Sequence, residues 1–281
     1  MAEFISISHP SGKLSGTVQL PGSKSESNRW LIINALSGKN QKARNLSDAD
    51  DIKLLKNALN DDSQEVFVGN SGTALRFLIA FYTATFQDKI ITGSPRLLER
   101  PVEPLVDVLN EIGAVIQFRG KPAYPPVEVL GRQTKFRGYK INLRADISSQ
   151  FVSAILLVAP YLPEGIEITL NGKISSKPYI TLTLRMMEHF GVKSVWNGNI
   201  IRVEPQSYLP TPYLIESDWS NAAAWYAMLT LSNDSAVFLK GLKRESWQGD
   251  SCVHELFKPF GIHTEFSDSG AFLTNDGQRD N

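Results

Sequence analysis

Apolar residues recur at helical spacing along Val106–Phe118, Leu184–Trp196 and His254–Phe266, and each run then reaches a glycine: Gly113, Gly191 or Gly261. A glycine can take the left-handed conformation that ends a helix. The alternating stretch after each one predicts a strand with one buried face. Upstream lie three further segments, Ser71–Ala84, Ser148–Pro160 and Trp219–Leu231, which open with small or polar residues able to cap a helix and continue as apolar runs. The offsets from first to second segment are 35, 36 and 35 residues. Chance similarity of amphipathic helices would not hold that spacing. The pattern predicts a unit of strand, helix, strand, helix and two more strands, repeated every 71 to 77 residues. A fourth copy is expected at Ser25–Gly38 with Asp51–Leu59, at a shorter offset. The competing reading is one irregular α/β domain whose helices look alike.

Composition narrows the function without naming it. With 281 residues, 42% of them hydrophobic, the chain can bury one large core or two smaller ones. Lys+Arg and Asp+Glu both number 29, so no strong field draws the protein to nucleic acid. An anion site must therefore be built from a few placed cations. The single cysteine, Cys252, excludes an intrachain disulfide and a multi-cysteine metal site, and suits a reducing compartment. Neither Cys252 nor the four histidines form a metal or nucleophile pattern, and structural roles are expected for them. Met1–Gly12 lacks the basic start and apolar run of a signal peptide. The apolar stretch Phe151–Leu162 is too short to span a bilayer and is interrupted by Pro160. A soluble, cytoplasmic monomer is the expectation.

The candidate chemistry sits at helix entrances. Pro21-Gly22-Ser23-Lys24-Ser25-Glu26-Ser27-Asn28-Arg29 turns the chain and places Lys24 and Arg29 near a helix N-terminus, whose unpaired N–H groups and positive dipole end suit an anion. The nucleotide P-loop spacing G-x-x-x-x-G-K is missing. Gly69-Asn70-Ser71-Gly72-Thr73-Ala74-Leu75-Arg76 offers glycines for close approach and Asn70 for an acidic ligand. Pro95-Arg96-Leu97-Leu98-Glu99-Arg100-Pro101 brings two guanidiniums that can each grip a phosphate or carboxylate through paired hydrogen bonds. Asp146-Ile147-Ser148-Ser149-Gln150 and Ser175-Ser176-Lys177-Pro178-Tyr179 are further polar entrances. Each taken alone also fits ordinary capping or a solvated loop. Five together predict a small phosphorylated ligand held between α/β units.

The order and spacing of PGSKSESNR, GNSGTALR, PRLLERP, SSQF, SSKPY, SDWSNAAAWY and WQGD resemble the EPSP synthase family of enolpyruvyl transferases, from about Gln19 to Gly261. The resemblance implies an α/β (α+β) fold: an inside-out α/β barrel of repeated βαβαββ units in two domains. Residues 20–216 would form a complete domain of three repeats, and residues 1–19 with 217–281 a second, incomplete one. It implies transfer of the enolpyruvyl group of phosphoenolpyruvate to the 5-hydroxyl of shikimate 3-phosphate, with release of phosphate, and no metal or organic cofactor. No nucleic-acid or membrane partner is expected.

Carried over from the family's motifs, Lys24 touches both substrates, and Ser25 and Arg29 hold the carboxylate side of the shikimate ring. Asn70 and Gly72 belong to the phosphoenolpyruvate loop, and Arg100 to that substrate's phosphate. Ser148 and Ser149 meet the 3-phosphate of shikimate 3-phosphate, Gln150 reaches between the substrates, and Ser176 and Tyr179 add contacts on the shikimate side.

Three departures stand out. Phe77 replaces a proline usual in the family, which is expected to shift the helix and the binding of the inhibitor glyphosate. The segment from Leu59 to Val66 is short, which is expected to trim a strand pair. After Asn281 the family continues through two more repeats that carry its catalytic aspartate, a Lys-Glu-x-x-Arg segment and further cations. No residue here takes those roles, and this chain alone is expected not to turn over. Two rivals remain: the sister UDP-N-acetylglucosamine enolpyruvyl transferase, whose donor loop often carries a cysteine that Pro95–Pro101 lacks, and a non-catalytic module that binds a phosphorylated ligand.

Overall fold

The computed structural model describes residues 11–38, 41–144, 148–174 and 176–275. In chain order the elements begin with β1 (Ser15–Gln19), α1 (Lys24–Leu36) and α2 (Asp50–Ala58). Next come β2 (Glu65–Phe67), α3 (Gly72–Ala84), β3 (Asp88–Thr92), α4 (Glu103–Glu111), β4 (Ile116–Phe118) and β5 (Val127–Leu130). The same sequence of types follows in β6 (Lys140–Arg144), α5 (Ser149–Val158), β7 (Ile166–Asn171), α6 (Lys177–His189), β8 (Ser194–Asn197) and β9 (Ile200–Val203). Last are α7 (Trp219–Thr230), β10 (Ser235–Lys240), α8 (Val253–Leu256), β11 (Ile262–Ser267) and β12 (Gly270–Asn275). By its contacts the chain divides into residues 24–215 and residues 1–23 with 216–281.

Within residues 24–215 the repeat is explicit. One sheet has the order β2-β3-β5-β4 and another β6-β7-β9-β8; in each, the first two strands are parallel and the remaining pairings antiparallel. A parallel pair needs a crossover, and α3 and α5 supply it. Both helices are apolar nearly all round and both are deeply buried: every residue of α3 except Thr73, and Phe151–Val158 of α5. Gly113 shows why the helix-ending glycines are needed. Its φ of +98° is left-handed, and a β-carbon there would lie 2.1 Å from the Lys135 carbonyl.

Among the described residues, 24–58 contribute only the helices α1 and α2 to this plan. The link from Ala58 to Glu65 carries no strand pair, as the short sequence there predicts. The buried Lys89 ammonium anchors it, donating to the Asp61 and Ser63 carbonyls at 2.6 Å each. Phe77 does not interrupt α3, which runs unbroken through it.

The remaining residues repeat the topology with a borrowed strand. The sheet β1-β10-β12-β11 takes its first strand from the start of the chain: β1 lies parallel to β10, Ser15 opposite Ala236. Its core is Trp219, Tyr226, Leu229, Val237, Leu239 and Leu273. The expected second helix is broken up. Residues 249–252 and 258–260 are 3-10 turns on either side of the four-residue α8, and the break on the C-terminal side falls where Pro259 has no N–H to continue the i to i−4 ladder. α7 also differs from α3 and α5, since its apolar Met228 and the following Leu231 are exposed, the latter to 85%. Where the chain passes between the two segments, Ser23 N–H donates to the Glu216 carbonyl at 2.8 Å. Among the described residues no helix is long and apolar enough to cross a membrane, and no group of three His, Cys, Asp or Glu could hold a metal.

Candidate anion-binding site

Four helix N-termini meet at one end of residues 24–215. Arg29, in the second turn of α1, is the tie. Its Nη1 donates to the Ser25 carbonyl at 2.8 Å, its Nε to Thr183 Oγ1 at 2.8 Å, and its Nη2 to Ser153 Oγ at 3.1 Å and the Tyr179 carbonyl at 3.2 Å. Those partners join α1 to the second turn of α5 and the first two turns of α6. Across from them, Gln150 Nε2 donates to Thr73 Oγ1 at 3.0 Å, joining the first turn of α5 to that of α3.

Each entrance is shaped by its own sequence. Ser71 caps α3 by accepting from the Ala74 N–H at 3.2 Å, and Ser148 caps α5 by accepting from the Gln150 N–H at 3.3 Å. Ser176 starts α6 but its hydroxyl caps nothing, leaving that oxygen for another donor or acceptor. Ser148 is exposed and Ser149, Gln150 and Ser176 are half-buried, while Tyr179 presents its ring to solvent. The polar runs before α5 and α6 also include Asp146, Ile147 and Ser175, which lie outside the described residues.

Lys24, the first residue of α1, is exposed and lies 3.4 Å from the Asp51 carboxylate. An exposed pair of that kind is worth about 0–1 kcal/mol, so a dianion can displace it at little cost. Arg29 is the opposite case: burial above all lowers its pKa to about 10, with Tyr179 and Glu26 acting against the shift, so it is still a cation at neutral pH. The Phe77 ring lies 5.8 Å from its guanidinium.

The second arginine pair gathers at Gly72. Arg76 Nη1 donates to the Gly72 carbonyl at 2.8 Å and its Nη2 reaches the Pro101 carbonyl at 3.5 Å, while the guanidinium lies over Phe151 at 4.9 Å. A β-carbon on Gly72 would lie 2.5 Å from Arg76 Nη1 and 2.9 Å from the half-buried Arg100 Nη1. The neighbouring Asn70 accepts a short hydrogen bond from Ser94, which fixes the loop leading to Arg100. The structure thus brings Asn70, Gly72, Arg100 and Gln150 to one side of this end, and Lys24, Ser25, Arg29 and Tyr179 to the α1 and α6 side. Sequence reasoning left Thr73, Arg76, Ser153 and Thr183 unassigned. The signal for Arg76 was its place four residues after Gly72, which puts it over that glycine on the same helix face.

The family profile of EPSP synthase (3-phosphoshikimate 1-carboxyvinyltransferase) matches residues 8–61 and 56–276. The chain belongs to the EPSP synthase family. A 3-phosphoshikimate 1-carboxyvinyltransferase of Bacteroides fragilis is 41% identical over 272 residues, covering 96% of this chain and 66% of the relative. One of Citrobacter koseri is 34% identical over 289 residues, covering 92% of this chain and 66% of the relative. The solved EPSP synthase of Acinetobacter baumannii superposes with a TM-score of 0.77 at 21% identity, over 94% of this chain and 65% of that one. The fold is thus that of EPSP synthase, and the chain spans about 66% of the length of these curated relatives.

Proposed function

We propose that the meeting point of α1, α3, α5 and α6 binds shikimate 3-phosphate beside phosphoenolpyruvate, for an enzyme that moves the enolpyruvyl group from the second to the first. The 5-hydroxyl oxygen loses its proton and adds to the phosphate-bearing carbon of the enolpyruvate while the neighbouring methylene takes up a proton, which gives a tetrahedral adduct. Phosphate then leaves with its bonding electrons as the new methyl group gives a proton back and the double bond reforms. One observation carries this reading: helix entrances from successive repeats converge, through Arg29 and the Gln150–Thr73 bond, on one cationic end. Relatives named for this reaction support it.

In this reading Ser148, Ser149, Ser176 and Tyr179 hold the shikimate 3-phosphate, with Ser25 and Arg29 on its carboxylate side. Asn70, Gly72 and Arg100 hold the phosphoenolpyruvate. Lys24 and Gln150 reach both. Proximity of two bound anions is what the helix dipoles and cations supply, since bringing together two molecules that each carry a phosphate and a carboxylate is otherwise opposed by their charge. The reading sets the reaction in the cytoplasm, on a monomer, with no metal, organic cofactor, nucleic acid or membrane taking part.

The test is calorimetric titration of the full 281-residue chain. Shikimate 3-phosphate is expected to bind, and replacing Ser148 and Ser149 together with Ala should weaken it, each lost hydrogen bond to a charged group costing about 1.5–3 kcal/mol. Unchanged affinity in the double variant would remove those serines from the site, and no binding by the parent chain would overturn the reading.

A further inference from the structure

The least comfortable arrangement in the molecule is at Gly72. Two guanidinium nitrogens, from Arg76 and Arg100, lie within 3 Å of the same point beside that glycine, and neither arginine makes an ion pair with a described carboxylate. Arg76 is only 8% exposed, and its Nε is buried without a hydrogen-bond partner. Like charges this close repel, and a buried unsatisfied donor costs about 1–3 kcal/mol, more when charged. A protein that holds both features in one place holds them for an anion. The N-terminus of α3, whose first residue is Gly72, points its N–H groups and positive dipole end at the same spot.

We propose that Arg76 is the positioning residue of a two-arginine anion seat. Through its fork it holds the Gly72 and Pro101 carbonyls, and so fixes the α3 entrance and the loop bearing Arg100 in the arrangement that grips a phosphate dianion. Identifying that phosphate with the one on phosphoenolpyruvate rests on the function proposed above; the seat itself does not. Arg76 remains cationic at neutral pH although burial, and then Arg100, lower its pKa to about 10. Phe151 covers the face of the guanidinium, which keeps the side chain in one rotamer and screens it from water.

The fork matters more than the charge. Lysine brings one positive charge but cannot bond the Gly72 and Pro101 carbonyls together in plane. Inorganic phosphate is therefore titrated into the full chain at low ionic strength, with binding read by calorimetry and folding by the thermal melt without phosphate. The parent chain is expected to bind. Arg100→Gln, Arg76→Gln and Arg76→Lys are each expected to bind at least tenfold more weakly. An Arg76→Lys variant that binds like the parent overturns the positioning role, because charge alone would then suffice. Unchanged binding in Arg76→Gln overturns it too. If both Arg76 variants fail to fold, Gly72→Ala decides: its methyl group displaces both guanidiniums, so parent-like phosphate binding would overturn the seat. Failure of the parent chain to bind phosphate overturns the seat whatever shikimate 3-phosphate does. Phosphate binding without binding of shikimate 3-phosphate or phosphoenolpyruvate overturns the proposed function and leaves the seat standing.

Discussion

Gln150 donates to Thr73, 77 residues earlier, and the same 77 residues separate the two helix caps Ser71 and Ser148. The bond therefore joins equivalent positions of two consecutive repeats, in the first turn inside each entrance. It makes a contact between units out of what the repeat supplies to each unit separately.

That contact should be measurable as coupling. Thr73→Val and Gln150→Ala are each expected to lower stability toward urea, and the double variant to fall short of their sum by about 0.5–3 kcal/mol. Strict additivity would mean that the bond carries no energy.

Arg29 gives a less intuitive expectation. When it is removed, Ser153 and Thr183 still bond each other at 2.9 Å, and Thr183 still donates to the Tyr179 carbonyl at 2.8 Å. Methionine fills the space without a charge, so Arg29→Met should cost about 0–1.5 kcal/mol. Arg29→Lys, which buries an ammonium with too few partners, should cost about 3–5 kcal/mol. Urea unfolding of the two variants checks the order, and a more stable lysine variant would contradict it. Both should lose affinity for shikimate 3-phosphate.

Gly72→Ala sets two effects against each other. Alanine in a helical first turn restricts the unfolded chain and stabilises by about 0.4–1 kcal/mol. The new methyl group meets two arginine side chains whose far ends can swing away. The melting temperature is therefore expected to hold or rise slightly while phosphate affinity falls. A large drop in the melt would show that the arginines cannot move.

The buried Glu216 carboxylate accepts from Trp219 Nε1 at 2.8 Å, the Lys243 N–H at 2.9 Å and Ser246 Oγ at 2.7 Å. Glu216→Gln keeps the shape but turns an NH2 group toward donors. It should destabilise by about 1–3 kcal/mol in thermal unfolding, with no change in phosphate affinity.

Much of the local plan was legible. Caps and helix-ending glycines leave short-range marks, so Ser71, Ser148, Gly113 and Gly191 stand where the sequence puts them. The misses come from distance. Nothing near Arg29 announces Ser153, Tyr179 and Thr183, which lie 124 to 154 residues away, so a cation that reads as a surface ligand is in fact buried. The third helix pair misled for a local reason, since its apolar spacing hid the effect of Pro259 on α8.

The borrowed strand has a consequence for synthesis. β1 leaves the ribosome 221 residues before its partner β10, as the bond from the Leu14 N–H to Ser235 Oγ shows. At about 5–20 residues per second that is a wait of roughly 11–44 s. Through that interval β1 is an unpaired edge, the kind of segment that recruits strands from other nascent chains. Residues 24–215, in contrast, emerge as one uninterrupted stretch and can collapse as they appear. Their folding would bring Ser23 to Glu216, so that the closure left for β1 spans about 28 residues instead of 221.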